Sequence, residues 1–189
     1  MTHDELLVRR AQRGDQKAVD SLLREHYDTV RKVCHRIVIN ADDADDATQI
    51  ALIAIVRALP SFDGRSKFST WVYRIATNAA LDEVRRIRRR ATPHDDQTFA
   101  SIPVADGSAA VDAQLDISAA LGQIPEEFRV ALVLRHIADL DYEEIAVILD
   151  VPVGTVRSRL SRGRAQLTAL LGNQDSPTQR QNNDTGGQQ

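Results

Sequence analysis

Near its carboxyl end the chain runs Asp141-Tyr-Glu-Glu144-Ile-Ala-Val-Ile-Leu149-Asp-Val-Pro-Val-Gly154-Thr-Val-Arg157-Ser-Arg159-Leu-Ser-Arg162-Gly-Arg164. Asp141 and Glu144 have the spacing of a capping box at a helix start. The pattern predicts a short helix over Tyr142–Leu149, a tight turn over 150–154 and a second helix from about Thr155. This order of elements is typical of a helix-turn-helix, whose second helix enters the major groove of DNA. The positions left exposed on that helix are Arg157, Ser158, Ser161, Arg162 and Arg164.

A second arginine-rich stretch lies in the first half of the chain. It begins at Phe68 and continues into Arg85-Arg86-Ile87-Arg88-Arg89-Arg90. No acid lies between Val84 and His94, nor between Val151 and Gln174. Acid-free arginine runs on helices suit a polyphosphate backbone, so the sequence favours a protein that grips DNA at two places. A plain helical hairpin with a solvated basic face stays open as the alternative for the carboxyl-terminal motif.

Composition favours small helical domains. The chain has 189 residues, 42% of them apolar and only 4% aromatic, which fits packed helices better than a β-sandwich. The net charge is −3, yet residues 1–90 hold 17 Lys and Arg against 13 Asp and Glu, whereas 91–113 hold four Asp and no base. Cys34, the single cysteine, is expected to be a small buried residue, and no metal site or cofactor motif is evident. With neither a signal peptide nor a membrane span in the sequence, we expect a soluble cytoplasmic protein.

Apolar periodicity divides the rest of the chain into helices, loops and a linker. Residues 4–39 predict two helices broken at Gly14-Asp15, and the acidic residues 40–46 predict a turn. The expected segments that follow are a helix over Ala47–Leu59, a polar loop over Ser61–Lys67, a helix over Phe68–Arg90, a flexible acidic linker over 91–113, helices between 114 and 171, including one over Glu126–Ala138, and a disordered tail over 172–189.

Four motifs, in this order, resemble bacterial sigma factors of the extracytoplasmic function (ECF) group. They are Asp45-Asp-Ala-Thr-Gln49, Leu59-Pro-Ser-Phe62-Asp-Gly64, Phe68-Ser-Thr-Trp71-Val-Tyr-Arg74-Ile-Ala-Thr-Asn78, and Val151-Pro-Val-Gly-Thr-Val-Arg-Ser-Arg-Leu-Ser-Arg162. The resemblance implies an all-α protein with a region 2 domain over 1–90 and a region 4 domain over 114–171. It also implies a protein, not itself an enzyme, that binds core RNA polymerase, directs it to promoters and helps to open the DNA.

The resemblance assigns expected roles to three groups of residues. Contacts to the −35 element are expected from Thr155, Arg157, Ser158, Ser161, Arg162 and Arg164. Contacts to the −10 element are expected from Phe62, Gly64, Arg65, Ser66, Lys67, Arg74, Asn78, Arg85 and Arg86, with the last two on phosphates. Trp71 is expected to pack as core instead. Contacts to core polymerase are expected from Asp45, Asp46, Gln49, Ile50 and Ile53.

Three positions depart from the pattern of the group. Ile50 stands where a glutamate is usual, which makes the expected polymerase contact less polar. Asp150 stands where glycine is common, and aspartate tolerates a left-handed backbone less well than glycine. Gly163 stands where alanine is usual, which costs a helix about 1 kcal/mol unless close packing compensates.

Partners follow from the same resemblance. We expect the clamp helices of the polymerase β′ subunit, the β flap, promoter DNA in double- and single-stranded form, and an anti-sigma factor that clamps both domains. No small-molecule substrate is expected. The competing hypothesis is a self-sufficient regulator that uses only the helix-turn-helix and dimerises on a palindrome. An enzyme is a distant third possibility, because the sequence carries no catalytic constellation or nucleotide-binding glycine motif.

Overall fold

The computed structural model describes residues 2–91 and 117–172, and this part of the chain is built from helices and their connections. The helices are α1 (His3–Gln12), α2 (Gln16–Val38), α3 (Ala41–Ala58), α4 (Phe68–Ala91), α5 (residues 117–123), α6 (Glu126–His136), α7 (Tyr142–Leu149) and α8 (Val153–Gly172), with a 3-10 turn over Leu59–Ser61. The predicted all-α fold is confirmed. The expected linker over 91–113 falls outside the described residues from 92 onward, as does the expected tail from 173.

The start of α3 corrects the sequence prediction. The acidic residues 40–46 were expected to form a turn before a helix beginning at Ala47, but α3 already begins at Ala41. The side chain of Asn40 accepts a hydrogen bond from the amide of Asp43 at 3.1 Å and caps the helix. Acids in the first turn, Asp42 among them, stabilise the positive end of the helix dipole, so the same residues that suggested a turn favour a helix start.

Helices α1 to α4 form the first domain around α2, which packs against α1, α3 and α4. The α2 residues Val30, Val33 and Ile37 are completely buried against this core. Small residues on the neighbouring helices, such as Ala47 and Ala76, are equally buried and let the helix axes approach closely. Each buried Val or Ile contributes about 1.5–3 kcal/mol relative to an exposed one. This packing fixes α4 and the loop that precedes it.

Helices α5 to α8 form the second domain, in which α6 packs against α8 and α7 packs against both. Leu134, Ile145, Val156 and Leu160 are fully buried at its centre. The buried guanidinium of Arg129 donates hydrogen bonds to the carbonyls at the end of α5, at 3.3–3.5 Å. Burial lowers the pKa of this guanidinium, and these carbonyls replace the water lost at Nη1, while the buried Nε has no hydrogen-bond partner among the described residues.

Helix ends in this domain differ slightly from the predicted ones. The helix predicted over Glu126–Ala138 ends at His136, where Asp139 with φ 51° turns the chain toward α7. The helix predicted from about Thr155 begins at Val153, because the carbonyl of Pro152 already accepts hydrogen bonds from the amides of Thr155 and Val156. The predicted helix over Tyr142–Leu149 is confirmed at both ends.

The two domains pack against each other in this structure. Contacts run from α2 to α6 and from α4 to α7. The Nη2 atom of Arg88 lies 2.9 Å from Oε2 of Glu126, and Arg36 hydrogen-bonds the hydroxyl of Ser118. Each of these pairs joins a basic side chain of the first domain to a polar side chain of the second. Glu144 of the α7 capping box forms a third connection, to Thr70 and Lys67.

Candidate nucleic-acid interface

Helix α8 presents the predicted arginine row to solvent. Arg157, Ser158, Ser161 and Arg162 are exposed, whereas Thr155 is half-buried. The Oγ of Ser158 donates to the carbonyl of Thr155 at 2.9 Å, so its hydroxyl oxygen still has a lone pair for an outside donor. Within the described residues no hydrogen bond or ion pair engages the guanidinium groups of Arg157 and Arg162. These two cations are therefore available for phosphates or base edges.

Arg164 differs from the other arginines of this row. Its Nε donates to the carbonyl of Leu160 at 3.2 Å, and its Nη2 lies 3.4 Å from the hydroxyl of Tyr142. It therefore connects α8 to the first turn of α7 as well as facing solvent. The same charge, together with Arg135, acts on His136, whose pKa is lowered chiefly by burial and then by these two cations.

Both ends of α7, the helix before the arginine row, have defined caps. Asp141 and Glu144 form the predicted capping box: the Asp141 carboxylate accepts from the Glu144 amide at 2.7 Å, and the Glu144 carboxylate accepts from the Asp141 amide at 3.1 Å. Asp150 ends α7 in the left-handed region, with φ 51° and ψ 52°. The sequence expectation that glycine would suit this position better is confirmed by that backbone.

Gly163 lies at the point where α8 comes closest to α6. A Cβ atom added there would lie 3.0 Å from Leu132 Cδ1 and 3.3 Å from Phe128 Cβ. The close packing that the sequence analysis required as compensation for a mid-helix glycine is therefore present. Glycine at this position lets α8 lie directly on α6.

The loop between the 3-10 turn and α4 holds the residues expected to contact the −10 element. Gly64 has φ 73°, and Arg65, Ser66 and Lys67 are exposed. The amide of Arg65 donates to the Asp63 carboxylate at 3.1 Å, and the two side chains form an exposed ion pair at 2.9 Å. Exposed pairs of this kind are weak, at most about 1 kcal/mol, so Asp63 holds Arg65 only loosely.

Aromatic side chains anchor both ends of this loop. Phe62 packs on Phe68 and Trp71 with ring centroids 5.5 and 5.1 Å apart. Trp71 is only 9% exposed, which confirms the prediction that it belongs to the core. Phe62 is half-buried, so only part of its ring is left to contact a base.

The outer face of α4 carries the remaining residues of this group, in two different states. Arg74 and Asn78 are exposed, one helical turn apart. Arg85 pairs with Asp82 at 2.8 Å, and Arg86 pairs with Glu83 at 2.5 Å and lies 3.6 Å from Asp46 of α3. The hydrogen bond to Glu83 raises the pKa of Arg86.

The sequence predicts that Arg85 and Arg86 bind phosphates, in a run without acids on its carboxyl side, and this stays a prediction. The acids that engage them lie on the amino side, at Asp82 and Glu83. Glu83 is 3% exposed, so Arg86 neutralises a buried carboxylate and connects α4 to α3.

Helix α3 exposes the residues expected to contact polymerase. Ile50 and Ile53 are 50% and 45% exposed, which is unusual for isoleucine. Together with Ala54 and Arg57 they line a shallow cavity of about 470 Å³. Gln49 is exposed beside them. An apolar strip of this kind with a polar edge indicates a protein-binding surface.

Asp45 and Asp46, at the amino end of the same strip, are held from within the domain. The carboxylate of Asp45 lies 2.7 Å from His35 Nε2 and 3.8 Å from Arg31 Nε. Asp46 lies 3.6 Å from Arg86. Both aspartates remain exposed, so they face outward in a fixed orientation.

Two residues make contacts to the loop and the start of α4 that the sequence did not predict, although Glu144 was expected in the capping box of α7. The side-chain amide of Gln12, in α1, donates to the carbonyls of Leu59 and Phe62 at 3.1 and 2.8 Å. The Glu144 carboxylate accepts from the Thr70 hydroxyl at 2.8 Å and lies 3.2 Å from Lys67 Nζ. Both contacts join segments 47 or more residues apart along the chain, and local periodicity carries no signal for them.

The described residues contain no group of three or more His, Cys, Asp or Glu side chains that could hold a metal ion. None of the helices described is long and apolar enough to cross a membrane. Cys34 is fully buried, as predicted, and burial raises the pKa of its thiol to about 11.

Comparison with known proteins finds matches for both helical domains. Residues 22–90 match the family model for sigma-70 region 2, and residues 114–167 match that for sigma-70 region 4. The chain is 41% identical to the ECF RNA polymerase sigma factor SigE of Mycolicibacterium smegmatis over 87% of its length and 67% of that protein. It is 36% identical to the RNA polymerase sigma-H factor of Pseudomonas aeruginosa over 89% of its length and 93% of that protein.

A solved structure shares the fold. The sigma factor RpoE of Bartonella quintana, solved in complex with the anti-sigma factor NepR, is 25% identical with a TM-score of 0.68. The match covers 81% of the chain described here and 96% of the RpoE chain, so it includes both helical domains.

Proposed function

The chain belongs to the ECF sigma factors of bacterial RNA polymerase, and from this premise we propose how its surfaces divide the work of promoter-specific transcription initiation. Its region 2 domain occupies residues 1–90 and its region 4 domain residues 114–171. One observation carries the proposal: a single chain combines an exposed arginine row on a helix-turn-helix with an exposed apolar strip on α3. A self-sufficient regulator needs the first of these surfaces and would use the second only to dimerise, whereas a polymerase subunit needs both for separate partners.

Helix α8 contacts the −35 element in the major groove. Arg157 and Arg162 are exposed and uncommitted within the described chain, and arginine at this place hydrogen-bonds guanine in bidentate fashion or binds a phosphate. Ser158 and Ser161 add short hydroxyl contacts from the same face. Thr155 lies in the first turn, where the positive helix end favours a phosphate, while its own backbone amide donates to the Pro152 carbonyl at 2.8 Å. Arg164 contributes charge from the next turn while it holds α7.

The loop over 61–67 and the outer face of α4 bind the −10 element and help to open it. Removing a base from the stack costs a few kcal/mol, so the displaced base must be held. Gly64 allows close approach of the backbone, Arg65, Ser66 and Lys67 supply charge and hydrogen bonds, and the exposed part of Phe62 supplies an apolar surface. Arg74 and Asn78 continue this surface along α4. Arg85 and Arg86 reach DNA only by exchanging their acid partners for phosphates.

The strip on α3 binds core RNA polymerase. Ile50 and Ile53 supply the apolar centre, and Gln49, Asp45 and Asp46 supply a polar margin that is already oriented by His35 and Arg86. A fixed orientation of charged groups lowers the entropic cost of docking. By resemblance, the surfaces on the polymerase are the clamp helices of β′ and, for region 4, the β flap.

Further partners and location follow from this assignment. An anti-sigma factor is proposed as an inhibitor, supported by the likeness to RpoE in its complex with NepR. The protein acts as a specificity subunit without chemistry of its own, in the cytoplasm and at the nucleoid when bound to polymerase.

Reconstitution tests the proposal. Core polymerase, the purified chain and a library of promoter fragments are combined, and the selected promoters are then used in run-off transcription. We expect transcripts only when the chain is present, from promoters that share −35 and −10 motifs. Tight sequence-specific binding by the free chain with no effect on polymerase would instead identify the self-sufficient regulator.

A further inference from the structure

Gln12 lies at the end of α1, ahead of the segment that matches region 2, and contacts the chain where the loop over 61–67 begins. One side-chain nitrogen donates both of its hydrogens, to the carbonyls of Leu59 and Phe62. These carbonyls bracket the 3-10 turn from which the loop starts. Leu59 also accepts from the Phe62 amide at 3.2 Å, so Gln12 closes the turn from outside.

The position of Gln12 is itself fixed. The next turn contains Gly14 with φ 91° and Asp15, whose carboxylate accepts from the amides of Lys17 and Ala18. Arg10 pairs with the same carboxylate at 2.7 Å. The amide of Gln12 is therefore presented to the loop from a rigid corner between α1 and α2. Phe62, which it holds, packs in turn on Phe68 and Trp71.

We infer that Gln12 is a positioning residue for −10 recognition, which rests on the proposed role of the 61–67 loop. It fixes the point at which the loop leaves the core, and hence the position of the Gly64 backbone and of the side chains of residues 65–67 that are proposed to contact the −10 element. Methionine at this position keeps the length of the side chain and loses both hydrogen bonds. Glutamate keeps the shape and points a charged oxygen at two carbonyl oxygens. The expected order of function is therefore glutamine, methionine, glutamate.

The test uses reconstituted holoenzyme with Gln12→Met and Gln12→Glu, and Gln16→Met as the matched exposed control. The readout is the ratio of run-off transcript from a promoter with an intact −10 element to that from one with a scrambled −10 element. We expect this ratio to fall about five- to thirtyfold for Gln12→Met, as two lost hydrogen bonds allow, and further for Gln12→Glu. Core affinity and −35 dependence should not change.

The outcomes separate this inference from the proposed function. If the wild-type ratio is already one, the loop does not contact the −10 element and the proposed function is wrong at that point. If the wild-type ratio is high and Gln12→Met matches it, the positioning role is refuted. A fall in melting temperature or core affinity with an unchanged ratio likewise refutes it, because Gln12 then serves only the fold.

A different contact supports a second inference, about the packed state of the two domains. Glu144, the third helical residue of the α7 capping box, accepts from Thr70 at 2.8 Å and pairs with Lys67 at 3.2 Å. Thr70 is 6% exposed. Val147 and Ile148 of α7 line the same cleft, of about 460 Å³, as Arg65 and Arg74. The second domain thus lies beside the surface proposed to hold the −10 strand, and Glu144 engages Lys67 there while Arg65, Ser66 and Arg74 stay exposed.

Promoter geometry does not permit this packing. Elements centred about 25 base pairs apart are separated by roughly 85 Å along the duplex, at 3.4 Å per pair. Two domains in direct contact cannot occupy both elements at once. The 25 residues at 92–116 reach at most about 85 Å when fully extended, so the chain is long enough for the domains to separate.

We propose that the contact of Glu144 with Lys67 and Thr70 holds the free chain in a closed form in which the carboxylate takes the place of a DNA phosphate on the −10 surface. Two variants weaken it from opposite sides. Glu144→Gln removes the charge but keeps a residue accepted in a capping box, and Thr70→Val removes the hydroxyl donor at constant shape. Glu143→Gln, on the neighbouring exposed residue, is the control.

The assay compares binding of a fluorescent single-stranded −10 oligonucleotide by the free chain and by holoenzyme. We expect both variants to tighten binding by the free chain about three- to tenfold, with no change for the control or for any holoenzyme, in which the domains are already apart. Equal affinities of wild type and variants in the free chain would refute the closed form. Failure of wild-type holoenzyme to prefer this strand over a scrambled one would instead refute the proposed role of the loop.

Discussion

Replacing Gly163 by alanine should destabilise the second domain, although alanine is the better helix former. The intrinsic gain for a mid-helix position is about 1 kcal/mol. Against it, the new Cβ would lie 3.0 Å from Leu132 Cδ1, 3.1 Å from Leu132 Cγ and 3.3 Å from Phe128 Cβ. Two of these three atoms lie close to the α6 backbone and cannot swing away, so α8 must shift by a few tenths of an ångström. Overpacking of this kind costs about 1–3 kcal/mol.

The net expectation for Gly163→Ala is a loss of about 1 kcal/mol, measured by urea unfolding at 25 °C. With a slope of about 1–3 kcal/mol per molar urea, the midpoint falls by about 0.3–1 M. Gly154→Ala is the matched control in the same helix, because a Cβ there meets nothing within 4 Å. It should be neutral or stabilising. If Gly163→Ala stabilises the protein as much as Gly154→Ala, then α8 is not held against α6 at this point.

Three further predictions concern single positions. Arg162→Ala should reduce transcription about five- to a hundredfold on promoters with an intact −35 element and have little effect on promoters with a scrambled one. Arg9→Ala, at another exposed arginine, is the control, and equal losses on both templates would show that Arg162 does not contact the −35 element. Asp150→Gly should raise the free energy of unfolding by up to about 1 kcal/mol, because the left-handed backbone at φ 51° strains aspartate and suits glycine. A lower urea midpoint for the variant would show that the Asp150 side chain stabilises the fold by more than this backbone strain costs. Cys34, whose thiol pKa is raised to about 11, should resist thiol reagents at pH 8 until the domain unfolds, and rapid labelling of the native protein would contradict its burial. Because folding favours the neutral thiol, the contribution of Cys34 to the free energy of unfolding should be lost as the pH rises above 9.0, the ordinary pKa of the thiol.

The fold could be predicted because its signals are local. The break at Gly14-Asp15, the capping box at Asp141 and Glu144, and the apolar spacing along α2 and α8 each concern residues a few positions apart. The one substantial error, the start of α3, arose from a local signal with two meanings. Asp42 and Asp43 are common in turns and equally favourable in the first turn of a helix, and Asn40 as the cap decided between them.

The candidate site was predicted less completely, because its geometry depends on long-range contacts. The expected loop residues lie together, but Gln12 and Glu144, which hold the loop and its neighbour, come from segments far along the chain. Arg86 illustrates the converse. Its place in an arginine run predicts a phosphate contact, which stays a prediction, but the run gave no sign that Arg86 also pairs with the buried Glu83 one turn earlier.

The distribution of paired and unpaired arginines explains how an acidic protein can contain two DNA-binding surfaces. On α4, Arg85, Arg86 and Arg88 each lie beside a carboxylate, whereas Arg74, Arg89 and Arg90 of the same helix are exposed and, like Arg157 and Arg162 on α8, have no such partner among the described residues. Each arginine that neutralises a phosphate contributes about 0.9 to the slope of log affinity against log salt. An arginine that must first leave a carboxylate gains little by the exchange. Duplex binding by the free chain should therefore depend on the unpaired arginines, and Arg85, Arg86 and Arg88 should contribute mainly where polymerase already holds the DNA against α4 and the local concentration of phosphate is high.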